Sequence, residues 1–136
     1  MNVEKWLNRI KKLDQLIDAK NAEQVRLRAI ATDISPKPMD GMPFSNTGMP
    51  PQKMENAIIR LMELSDEINR IIDTYIDYKQ EVLRTLEQLP EKEYGVLHRY
   101  YIRYMTIEQI AEAMGYSVRQ ILRIKKNGLK ILKDLV

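Results

Sequence analysis

Between Met54 and Leu89, apolar residues recur every three or four positions over five heptads. They are Met54, Ile58, Leu61, Ile68, Ile72, Tyr75, Val82, Leu86 and Leu89, with Ser65 and Lys79 as two polar insertions. A stripe of this period lies along one side of a helix, here in a coiled-coil-like pattern. Such a helix is about 55 Å long at the usual rise per residue. It cannot cover its own stripe and needs a partner. Residues 3–34 offer one, with Trp6, Ile10, Leu13, Ile17, Leu27, Ala31 and Ile34 at the same spacing. Lys20 and Gln24 interrupt it at inward positions, and Asn2 is placed as an N-cap. Between the two lies SPKPMDGMPFSNTGMPP, residues 35–51, which holds five of the six prolines and two of the five glycines. No helix survives that spacing of proline, so a long connecting loop is expected, with a binding role left open by its length. The simplest solution folds the two helices back on each other, antiparallel, with Gln24 and Ser65 meeting in one polar layer. The alternative is pairing between chains. A two-helix hairpin leaves apolar surface uncovered, so self-association is expected, with a dimer favoured.

Composition narrows the function classes. Among 136 residues there is no cysteine and a single histidine, His98. That excludes a disulfide scaffold, a thiolate metal site, a cysteine nucleophile and a two-histidine zinc site. No Gly-rich phosphate loop or Ser/His/Asp grouping is present. No catalytic residue, cofactor, metal or small-molecule substrate is therefore expected, and His98 reads as a packing or surface residue. No apolar run reaches the length of a membrane span, and charges interrupt the first residues too often for a signal-peptide core. A cytoplasmic location without a membrane partner follows as the default expectation.

Leu89-Pro90-Glu91 marks a boundary, because proline suits the first turn of a helix and an acid there suits the helix dipole. It divides the chain into residues 1–89, two long helices for oligomerisation or partner binding, and residues 90–136, a small helical domain with its own core. The expected fold class is all-α. The charge changes sign at the same boundary. Residues 52–89 carry five basic and eight acidic side chains, net −3, whereas residues 90–136 carry nine and five, net +4. From Gly115 to Lys133 there are six Lys and Arg and no acid.

Three short helices are expected in this second part. One covers residues 91–101, with Tyr94, Leu97 and Tyr101 inward. A second covers residues 107–114, with Thr106 and Gln109 forming a capping box. A third begins after Ser117 and runs towards Leu135. Ala111 is small where two helices would cross, and Gly115 supplies the positive φ that a tight turn needs. Ile107, Ile110, Met114, Ile121 and Ile124 form the inner face of a helix-turn-helix. Ser117 caps its recognition helix, whose outward positions are Val118, Arg119, Gln120, Leu122 and Arg123. Arginine can fork to guanine and glutamine can pair with adenine. Lys125, Lys126 and Lys130 lie further along, where phosphates are nearer than bases. The expected DNA-binding set is Ser117, Val118, Arg119, Gln120, Arg123, Lys125, Lys126 and Lys130, and the expected partner is double-stranded DNA.

The segment LPEKEYGVLHRYYIRYMTIEQIAEAMGYSVRQILRIKKNGLKIL resembles region four of bacterial sigma factors. The resemblance rests on Leu89-Pro90, on Leu97 and Tyr101, on Ile107 to Gly115, and on Ser117, Ile121, Arg123, Leu129 and Leu132. Gly128 stands where that family has alanine, which weakens the helix by ~1 kcal/mol and leaves room for a bend after Asn127. The layout of the whole chain is similar to a prophage family of transcriptional regulators in Gram-positive bacteria. The resemblance implies a sequence-specific regulator of phage origin, with RNA polymerase as a further partner. It does not imply a complete sigma factor, since the sigma region that melts promoter DNA has no counterpart. Two other readings stay open: a small-terminase-like DNA-packaging subunit, and an adaptor that docks on polymerase or another regulator without touching DNA.

Overall fold

The computed structural model describes residues 2–32 and 51–136. Its elements are α1 (Val3–Thr32), α2 (Pro51–Leu86), α3 (Glu91–Leu97), α4 (Ile107–Met114) and α5 (Val118–Leu135), and no strand occurs among the described residues. The fold is all-α, as expected. The loop read at residues 35–51 lies outside the described residues except for Pro51, which opens α2. Proline is tolerated at that first position because its missing N–H would have no partner in the helix. Asn2 acts as the expected N-cap of α1, its Oδ1 accepting from Lys5 N at 3.1 Å. Among the described residues no helix is long and apolar enough to cross a membrane.

The chain divides into two compact units: residues 15–73, and residues 1–14 together with 74–136. The boundary read at Leu89-Pro90 falls inside the latter unit.

In the unit of residues 15–73, Lys20 pairs with Glu67 at 3.1 Å and Glu23 with Arg60 at 3.8 Å. Rising numbers on α1 meet falling numbers on α2, so the helices run antiparallel. Gln24 Nε2 donates to Ser65 Oγ at 2.8 Å, which is the polar layer expected from the interrupted stripes. Hydrogen bonds from Lys20 and Arg60, followed by their charges, hold the Glu67 carboxyl below its usual range. The buried line on α2 is Ala57, Leu64 and Ile68. Ile58, expected inward, is instead 44% exposed. The buried positions there, Ala57 and Leu64, each stand one place before the expected Ile58 and Ser65, and Ser65 is half-buried beside Gln24.

The other unit is built around one apolar cluster. Val3, Leu7 and Ile10 meet Val82, Leu86 and Leu89, and also Leu97, Tyr101 and Leu132. The α3–α5 helices therefore do not enclose this core alone; the first turns of α1 and the last of α2 complete it. Tyr78 donates to the Trp6 carbonyl, and its ring stands edge-on to the indole at 6.3 Å. After Leu97 the chain widens into a π-helical turn, His98–Ile102, closed by Arg103 N donating to His98 O at 3.1 Å. The helix expected to run on to Tyr101 thus changes pitch, with Tyr101 buried in the core. Burial, then the charges of Arg103, Arg99 and Lys79, hold the His98 imidazole below its usual range. Its ring packs 5.4 Å from Tyr94, so His98 occupies a packing position. Tyr104 follows with φ 57, a left-handed conformation outside glycine, and its hydroxyl donates to Asp14 Oδ2 at 2.7 Å.

Candidate nucleic-acid interface

Two consecutive capping boxes set the start of α4 and of α5. Thr106 Oγ1 accepts from Gln109 N at 3.2 Å while Gln109 Oε1 accepts from Thr106 N at 2.9 Å. Ser117 Oγ accepts from Gln120 N at 3.1 Å while Gln120 Oε1 accepts from Ser117 N at 2.9 Å. Each box satisfies N–H groups that a helix start leaves unpaired. Gly115 ends α4 at φ 73, as the turn requires. A second cluster, Val96, Ile110, Ala111 and Ile121, holds α3, α4 and α5 together. Ile107, Met114 and Ile124 are partly buried against it. The inner face of the helix-turn-helix is thus the one read from the sequence.

With Ile121 turned inward, the opposite side of α5 is solvent-facing. Ser117, Val118, Arg119, Gln120, Leu122 and Arg123 are all exposed. Gln120 nevertheless has its amide oxygen engaged in the cap. Pairing with adenine uses both ends of a glutamine amide, so the cap competes with that role. The signal was local: Ser117-x-x-Gln120 repeats Thr106-x-x-Gln109 eleven positions on.

The lysines separate. Lys126 and Lys130 are exposed. Lys125 keeps only 17% of its side chain in solvent and faces the N-terminal turn of α1, 3.8 Å from Glu4. Its Nζ also lies 4.7 Å from the Tyr100 ring centroid and 5.7 Å from that of Tyr101. One helical position away from Lys126, its ammonium is held between the Tyr100 and Tyr101 rings and Glu4.

The fold adds one cation that the sequence reading passed over. Lys92, on α3, lies 5.9 Å over the Tyr116 ring and lines a shallow recess with Gln120 and Arg123. In sequence it sits between Glu91 and Glu93, where no charge run marks it. Glu93 and Asn127 line the same recess, Glu93 accepting from Asn127 Nδ2 at 2.9 Å.

Gly128 has a positive role. Its buried position lies against α3, where an added Cβ would stand 2.9 Å from Leu97 Cδ1 and 3.3 Å from Glu93 Cβ. α5 runs unbroken through it, so the bend considered after Asn127 does not interrupt the helix.

Among the described residues, no group of three or more His, Asp or Glu side chains is placed to hold a metal ion. Residues 85–134 match the family model for sigma-70, region 4, a stretch of about a third of the chain. No curated protein and no solved structure matches the chain.

Proposed function

We propose, from the premise that residues 85–134 form a sigma-70 region 4 helix-turn-helix, that this chain binds double-stranded DNA sequence-specifically and regulates transcription. The observation that carries this reading is the outer face of α5. Arg119 and Arg123 are exposed one turn apart in its first two turns, while Ile121 between them is fully buried. That geometry offers two guanidinium forks to base edges and holds the helix rigidly behind them. Lys126 and Lys130 continue the basic face towards phosphates, and Lys92 adds a cation from α3. Lys125 is outside the contact set. RNA polymerase is the further partner that a sigma-type module would address.

Selection of binding sites from random duplex DNA tests the reading, followed by titration of variants. Arg123→Ala should cost about 1–3 kcal/mol on the selected site and relax preference at one or two base pairs. Lys126→Gln with Lys130→Gln should instead weaken all sequences alike and lower the salt slope by about one per lost phosphate contact. Lys125→Gln should leave that slope unchanged. Failure to select any sequence removes the proposal.

We also propose that two copies associate through the unit of residues 15–73. Ile58, Ile59 and Met62 are 44%, 48% and 65% exposed there, on neighbouring turns of α2. Light scattering should return the mass of a dimer. A monomer mass at micromolar concentration removes this part, and a large ring would point to a packaging role.

A further inference from the structure

The outer face of α5 carries two aliphatic side chains beside its arginines. Val118 is 40% exposed and Leu122 50% exposed, and neither joins either apolar cluster. They stand four residues apart, so they share a face, with Arg119 and Arg123 forming a parallel strip next to them. Exposed aliphatic carbon within the stretch from Gly115 to Lys133, which is basic and holds no acid, calls for a ligand that is anionic overall and offers apolar groups at defined points. Duplex DNA meets both conditions. In its major groove, thymine alone presents a methyl group, and cytosine carries only a hydrogen at that C5 position.

Resting on the reading of α5 as the DNA-reading helix, we propose that Val118 and Leu122 are specificity determinants that contact thymine methyl groups. Four residues rise about 6 Å along a helix, and successive bases on one strand are about 3.4 Å apart. The two side chains therefore meet methyl groups about two base steps apart, beside the positions read by Arg119 and Arg123.

The test uses the full chain and its selected site, resynthesised with deoxyuridine replacing thymidine at one position at a time. This removes a single methyl group and leaves every hydrogen-bonding atom in place. Loss of one buried methyl-sized group should weaken binding about three- to fivefold at two positions, with little effect at the others. Val118→Ala should abolish the sensitivity at one of them and Leu122→Ala at the other. Both residues are exposed, so neither variant should disturb folding, which circular dichroism verifies. Specific binding that is indifferent to deoxyuridine everywhere overturns the proposal while leaving the DNA-binding reading intact. If Val118→Ala and Leu122→Ala also leave affinity unchanged, the aliphatic pair faces a protein partner instead, and the proposal falls. A chain that selects no DNA sequence fails earlier, and there the DNA-binding reading itself is lost.

Discussion

Leu7→Ala is expected to destabilise the helix-turn-helix by about 2–5 kcal/mol, the cost of emptying a fully buried leucine site, although Leu7 lies more than ninety residues before Arg119 in the chain. Leu7 is fully buried in the cluster that also contains Leu97, Tyr101 and Leu132. Removing three carbons there opens a cavity against the same side chains that seat α3 and α5. The measurement is urea unfolding followed by tyrosine and tryptophan signals, together with DNA titration at 25 °C and near the melting temperature. The parent and variant should bind DNA alike where both are folded and diverge as the variant melts first. Identical unfolding midpoints would show that residues 90–136 are stable on their own and that α1 merely rests on them.

Gly128→Val should be the second large effect, and its direction opposes helix propensity. In an exposed helix interior, replacing glycine stabilises by up to about 1 kcal/mol. Here the new Cβ would stand 2.9 Å from Leu97 Cδ1. A flexible side-chain end could move aside, but Leu97 is fully buried in the cluster with Tyr101 and Leu132, so its displacement must push on these neighbours. Overpacking of this kind costs about 1–3 kcal/mol, and the branched valine should lie at the upper end. For a unit of this size that lowers the melting temperature by about 10 °C or more. Pairing the change with Leu97→Ala discriminates the cause. If the clash is the reason, Gly128→Ala should destabilise the parent chain and become neutral or stabilising once Leu97 is truncated. Additive effects of the two changes would dismiss the close approach as the reason for glycine.

Much of the interface was legible because its determinants are local. A threonine or serine three residues before glutamine makes a capping box from its own neighbours, and glycine before the second helix adopts positive φ without outside help. The three-and-four spacing assigned Ile110 and Ile121 to the inside, and with them Arg119 and Arg123 to the outside. The same arithmetic paired Gln24 with Ser65, since both interrupt their stripes at the same depth. The family match covers the segment that these local features had already marked.

What the sequence by itself determined is therefore the helices, their caps, the turn at Gly115 and the outward strip of α5. Only the tertiary structure decided where each face finds its cover. Lys125 and Lys126 are adjacent and chemically alike, yet one stacks on Tyr100 beside Glu4 and the other meets solvent. Gly128 reads as a weak point in a helix until α3 is seen to pass over it. Leu7 falls outside the stripe of Trp6, Ile10 and Leu13, yet it is fully buried in the core with Leu97 and Leu132. Each of these depends on contacts between segments tens of residues apart, which periodicity cannot register, because a helical repeat states which side of a helix is buried but not against what.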